Sequence, residues 1–171
     1  MDKGYTLYLT GFSGAGKSTL AEKTVEYLKS QGKAVQLIDG DIIRGSIGNM
    51  FGYTKEERLK ASSIVRLLCK LLNDNGVITV AAVIGAYKEM RENNREQLEN
   101  YHEIYLDCSI EECIRRDVKG LYKRALNGDE KHVIGIDEPY EVPKRPGLII
   151  DTEKLSIEES MEMIKEFVNG L

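Results

Sequence analysis

The strongest chemical signal in the 171-residue sequence is GFSGAGKST at 11–19. Gly11-x4-Gly16-Lys17-Ser18 fits G-x-x-x-x-G-K-[ST], and it follows an apolar β-rich run and precedes a segment of helical period, the context such a loop needs. Its glycines let successive backbone N–H groups turn inward around a phosphate, and the following helix adds the positive end of its dipole. Lys17 is placed to reach β/γ oxygens and Ser18 to ligate Mg²⁺. A nucleoside triphosphate is therefore expected on Gly11, Ser13, Gly14, Ala15, Gly16, Lys17, Ser18 and Thr19.

The other half of the chemistry must come from acids and bases that reach that triphosphate. A guanine-reading N-K-x-D element is absent, and the apolar run at 77–84 closes on Gly85 where a motor ATPase would carry an acid. DVKG at 117–120 imitates a switch motif but lies in a basic segment, so it is read as chance. The nearest acids are those of LIDGDIIR at 37–44, at the end of the second expected strand. The carboxyl ends of parallel strands face one crevice, so Asp39 or Asp41 can reach Mg²⁺ or the proton of an attacking hydroxyl, and Arg44 can meet an acceptor phosphate. Acids beside the phosphates, with a basic segment to cover them, describe a small kinase that excludes water during γ-phosphoryl transfer.

These groups need a frame. Short β-rich runs at 5–10, 34–38, 77–84, 103–107 and 147–150 alternate with helical segments, among them 17–30, 155–168 and a helix capped by Thr54 with Glu57 three residues on. Such alternation implies βαβ units, hence a five-stranded parallel sheet with helices on both faces. Leu67, Leu68, Leu71 and Leu72 are expected in the core. Residues 119–146, basic at the start and holding all three prolines, are expected to form a mobile lid with an irregular return to the last strand. The chain is expected to be one domain over 1–171.

Composition narrows the partners. A formal net charge of −4 argues against a nucleic acid polymer or an anionic membrane. The longest apolar stretch is about half the roughly 20 residues a membrane helix needs, and no signal-peptide pattern opens the chain. A cytoplasmic protein is expected, with Cys69, Cys108 and Cys113 as buried reduced thiols.

GFSGAGKST, DGDIIR, FGYTKEER, IGAYKEMRENNR, RRDVKGLYKRA and GIDEPYEVP, in this order across nearly the whole chain, resemble adenylylsulfate kinase. The resemblance implies a P-loop NTPase fold, ATP with Mg²⁺, and transfer to the ribose 3′-hydroxyl of a 5′-modified nucleotide such as adenosine 5′-phosphosulfate. It implies that Asp41, Lys17 and Asp39 are catalytic, with Mg²⁺ on Ser18 and Asp39. The acceptor is then expected against Asp41, Arg44, Tyr53, Arg58, Ile84, Lys119, Gly120, Leu121, Lys123 and Val133. Relatives are commonly dimers, so a homodimer is expected.

The departures from the family pattern cluster on the acceptor side. Arg58 is kept, but Ala61 stands where the family has asparagine, Ser63 and Ile64 replace two basic residues, and Gly85 replaces a serine. Of two phenylalanines that sandwich the acceptor adenine, one corresponds to Tyr53 and the other to Val133. An aromatic stack contributes on the order of 1 kcal/mol beyond area burial, and a smaller base would lose less of it. The expected acceptor is accordingly a nucleotide other than adenosine 5′-phosphosulfate. Cytidine diphosphoramidate fits, the substrate of a divergent branch on the route to phosphoramidate decoration of surface polysaccharide. The alternative is adenosine 5′-phosphosulfate itself, in sulfate assimilation; a non-catalytic nucleotide switch is the reading of another class.

Overall fold

A computed structural model describes residues 3–171. Five strands, β1 (Thr6–Thr10), β2 (Val35–Asp39), β3 (Ile78–Ala82), β4 (Tyr101–Asp107) and β5 (Leu148–Asp151), form one sheet in the order β2-β3-β1-β4-β5. All four pairings are parallel, as the alternating strands and helices require. β1 and β3 lie between other strands and are buried along their whole length, which explains why both read as unbroken apolar or small runs.

The helices are α1 (Lys17–Ser30), α2 (Gly40–Ser46), α3 (Lys55–Asp74), α4 (Lys88–Gln97), α5 (Ile110–Arg116), α6 (Leu121–Leu126) and α7 (Ile157–Asn169). One face of the sheet packs against α1 and α7 through Leu20, Leu28, Ile104, Ile150 and Ile164. On the other, Tyr8, Ile38 and Ala81 meet Val65 and Cys69 of α3. Thr54 caps α3 in a two-way exchange with Glu57, and Ser156 caps α7 in the same way with Glu159.

Two expectations change. Leu67 (55% exposed) and Leu71 (54% exposed) lie on the outer face of α3, with Leu68 beside them, and only Leu72 packs inward. The helix buries the Val65/Cys69 stripe instead, about a third of a turn round. The lid region also divides. Residues 119–131 hold α6 and most of the bases, whereas the return is tied to the core: Arg91 donates to the carbonyl of Glu141, Glu141 N–H donates to the carbonyl of Ala86 (2.8 Å), and Tyr140 exchanges a hydrogen bond with Thr10 (2.9 Å). Val133 and Ile134 are buried there. Among the described residues no helix is long and apolar enough to cross a membrane. The three cysteines are free and buried, as expected.

Candidate active site

The loop between β1 and α1 is shaped by what its carbonyls do. Lys17 Nζ donates to the carbonyl of Phe12 (2.6 Å), the Tyr122 hydroxyl to Ser13 (2.8 Å), Arg116 to Gly14 (3.3 Å) and Thr152 Oγ1 to Ala15 (2.8 Å). Four consecutive carbonyls are thus held by side chains, and of the loop's N–H groups from 13 to 16 Ala15's alone is shown donating within the loop, to the carbonyl of Phe12 (3.2 Å), which leaves the others as donors for an anion. Gly16, at φ 99°, allows the turn into α1 that a β-carbon would strain. Tyr122, Arg116 and Thr152 come from the far third of the sequence, so no local spacing announces them.

Lys17 feels this enclosure. Burial pushes its amine down to about 8, and repulsion from Lys119 adds to the effect. Across the crevice, Asp39 ends β2 and caps α2. Its Oδ1 accepts from the N–H groups of Asp41 (2.8 Å) and Ile42 (3.2 Å), and its Oδ2 from Ser18 Oγ (2.8 Å). The pairing sets a hydroxyl and a carboxylate oxygen side by side at the triphosphate loop, a hard-oxygen pair that fits Mg²⁺ bound partly through phosphates. The short helix α2 is the element the sequence reading missed, because DGD reads as a turn until Asp39 is seen to cap the residues after it.

Asp41 sits on the first turn of α2 with its carboxylate exposed and paired with Lys119, on the loop before α6. This pair joins the rim of the crevice to the basic segment. Asp117, which looked like a switch motif, caps α6 by accepting from the N–H groups of Tyr122 and Lys123, both at 3.0 Å.

Donor loop and acceptor wall line one cavity of about 610 Å³. Of the residues expected to meet ligands, it brings together Ser13, Gly14, Gly16, Lys17, Ser18, Thr19, Asp39, Asp41, Arg44, Tyr53, Arg58, Ile84, Lys119, Leu121 and Val133. Gly11, Ala15, Gly120 and Lys123 lie outside its lining; Arg124, the next residue along α6, faces it in place of Lys123. Ala15 is fully buried beneath the loop, and Gly11 packs against the carbonyl of Leu106. The sequence reading missed Tyr8, Ser62 and Met90, which also line the cavity.

On the acceptor side the two arginines are already at work on the backbone. Arg44 donates to the carbonyls of Phe51 (3.1 Å) and Gly52 (3.0 Å), while Arg58 bridges Tyr53 (2.9 Å) and His132 (2.8 Å). Both guanidiniums lie over the Tyr53 ring, at 4.4 and 5.2 Å from its centre. A base stacking on Tyr53 must share that ring with them or displace one. Burial, with Arg44 close by, lowers the Arg58 pKa, a pair of cations that an acceptor phosphate would relieve. Val133, 3% exposed, belongs to the wall as much as to the core, and Asp137 holds its N–H at 2.6 Å.

The family model for adenylylsulphate kinase matches residues 3–151. The adenylyl-sulfate kinase of Picosynechococcus sp. is 40% identical over 169 residues, covering 99% of this chain and 96% of its own length. That of Phocaeicola vulgatus is 40% identical over 168 residues, covering 97% of this chain and 82% of its own. Among solved structures, the APS kinase of Mycobacterium tuberculosis in complex with AMPPNP and APS superposes with a TM-score of 0.94 at 29% identity, over 99% of both chains. A shared fold, a matching phosphate loop and relatives aligned from end to end agree: this chain is a P-loop phosphotransferase acting on a hydroxyl acceptor, and it belongs to the adenylylsulphate kinase family.

Proposed function

We propose that the protein transfers the γ-phosphoryl group of ATP to the ribose 3′-hydroxyl of adenosine 5′-phosphosulfate, releasing ADP. The observation that carries the transfer is the convergence of Lys17, Asp41 and Lys119 on one crevice, with the Asp41–Lys119 pair closing its rim. Kinship supports the acceptor, since relatives that align over nearly the whole chain bear the name adenylyl-sulfate kinase.

The triphosphate lies on the N–H groups of 13–18 with Lys17 at its β/γ oxygens. Ser18 and Asp39 would hold Mg²⁺, which when bound would offset charge on the phosphate oxygens. Asp39 has both oxygens engaged with α2 and Ser18, so it serves the metal and the helix. Asp41, held only by Lys119 on the open side of α2, is the group free to accept the 3′-hydroxyl proton as the hydroxyl oxygen bonds to the γ-phosphorus and the bond to the β-bridging oxygen breaks. Lys119, released from Asp41 as that proton arrives, then faces the transferring group together with Lys17.

A second reading, cytidine diphosphoramidate as acceptor, is favoured by one specific feature: Ala61, Gly85 and Val133 leave that part of the wall without the polar and aromatic side chains a purine nucleotide sulfate would use. ADP release measured with each nucleotide in turn separates the two; faster release with the cytidine compound would make it the preferred acceptor. The Leu67, Leu68 and Leu71 face of α3 supports a homodimer, and Leu71→Glu should then convert it to monomer in light-scattering chromatography. Three buried reduced thiols and an ATP donor support a cytoplasmic setting.

A further inference from the structure

We infer that Tyr8 determines acceptor specificity: its hydroxyl, in the cavity lining, hydrogen-bonds the distal 5′ group of the acceptor nucleotide. The inference rests on the proposed nucleotide acceptor but concerns a residue of the central strand that the mechanism does not use.

Tyr8 lies mid-strand in β1 and is 2% exposed, yet it lines the cavity. Its ring is locked by Tyr101 (centroids 5.5 Å apart) and by the contacts of Ile38, Val65 and Cys69. Its hydroxyl makes no hydrogen bond to any described residue, although neighbouring Thr10 and Tyr140 hydroxyls are paired with each other. The ring is enclosed but the oxygen is not: among the described residues the fully enclosed side-chain atoms without a partner are Asn94 Oδ1 and Glu103 Oε1, so the Tyr8 hydroxyl opens on the cavity, where a ligand can bond it. Burial, with Tyr140 close by, raises its pKa above the ordinary tyrosine value, so in the neutral range the group is a neutral donor.

Gly85 explains where the hydroxyl points. A β-carbon there would lie 2.9 Å from the Tyr8 oxygen and 2.8 Å from Thr10 Oγ1, at a backbone φ of 58° that side chains rarely adopt. A side chain there would press on the Tyr8 hydroxyl, and glycine leaves that space unfilled. The backbone around it is held still: Thr10 Oγ1 donates to the carbonyl of Ile84, and Arg91, itself buried, donates to that of Gly85.

The ends of the acceptor sort themselves among the corners of the cavity. Its 3′-hydroxyl must meet Asp41 at the phosphate loop, and Tyr53 and Val133 stand on either side of the Arg58 bridge where a base would lie. Tyr8, with Val65 and Gly85 packed against it, lines a further part of the cavity, which this inference gives to the 5′ substituent. That substituent is a tetrahedral acid or amide rich in acceptor oxygens, which suits a neutral hydroxyl donor.

Tyr8→Phe removes only this oxygen, so calorimetric titration of the full chain can read its role as a ratio. Titrated with adenosine 5′-phosphosulfate and with AMP, wild type should prefer the first, and the variant should lose about tenfold of that preference with AMP affinity and melting temperature unchanged. Cytidine diphosphoramidate against CMP is the same comparison for the second acceptor. An unchanged ratio in the variant overturns the role of Tyr8 alone. Failure of wild type to bind either modified nucleotide overturns the acceptor reading and this inference with it.

Discussion

The donor loop and the acceptor wall share one cavity but are built on different terms. In the loop, each of four successive carbonyls is held by a side chain from a separate element, and Lys17 and Ser18 each have a fixed partner. Across the cavity, Arg44 and Arg58 spend their contacts on backbone carbonyls and one aromatic ring, and the remaining wall is small: Ala61, Ser62, Gly85 and Val133. A braced site tolerates little change, because each group depends on several others. A wall of small residues depends on fewer partners, so a side chain there can change at a packing cost and leave the donor loop intact, and the proposed function puts acceptor choice on this wall.

Breaking the donor side should have the largest effect. Lys17→Ala is expected to lower kcat by about 10³-fold, the scale of losing a fixed charge aimed at the transition state, with the melting temperature little changed. Steady-state ADP release and thermal unfolding of the same preparation check both halves of that statement.

The two aspartates sharpen the contrast next. Asp41→Asn should lower kcat by about 10²-fold, at the low end for a general base because the transition state of phosphoryl transfer is loose. Its melting temperature should hold. Asp39→Ala removes the cap of α2, worth about 1 kcal/mol, and so should also lower the melting temperature by about 2–4 °C. Wild-type activity in Asp41→Asn would remove the proton-acceptor role from this carboxylate.

Lys17 also predicts a pH dependence. Its amine is held at about 8 in the free protein, below the usual lysine value, and a triphosphate beside it favours the charged form and raises that value. Nucleotide binding should therefore take up protons near pH 8 and weaken as pH rises through that value. The linked effect on folding has the same origin: the folded chain binds fewer protons at this group than the unfolded chain, so its contribution to stability improves from about pH 8 toward the unfolded lysine value and is least below it. Titrations in buffers of differing ionisation enthalpy would show the uptake; a pH-independent affinity from 7 to 9 would contradict it.

The smallest effect is expected on the acceptor wall. Val133→Phe should lower KM for adenosine 5′-phosphosulfate by roughly fivefold through one added stack. The site is buried, so a packing cost of about 1–3 kcal/mol in stability is expected beside it. An unchanged KM in a folded variant would show that the base does not lie against this residue.

Much of this was legible in the residue order. The strand and helix alternation carried the parallel sheet, and GKS carried the donor, because both are local patterns with a fixed physical cause. The misses came from where local pattern stops. The leucines of α3 have helical spacing, but which stripe meets the sheet is decided by neighbours, and Val65 and Cys69 won. Lys123 and Arg124 both carry a cation, and only the geometry of α6 turns the second toward the cavity. The braces Arg116, Tyr122 and Thr152 act across more than 100 residues, and Tyr8 reads as one more core aromatic until Gly85 opposite it is seen to leave its hydroxyl uncovered.

The central claim, a braced donor site serving a nucleotide 3′-hydroxyl, is tested most directly by ADP release from the wild-type chain with ATP and Mg²⁺, with no acceptor, with adenosine 5′-phosphosulfate and with cytidine diphosphoramidate. Slow release alone, strong stimulation by adenosine 5′-phosphosulfate and a product phosphorylated on the 3′-oxygen are expected. Equal release in all three reactions would contradict the account and leave a nucleotide hydrolase or switch in its place.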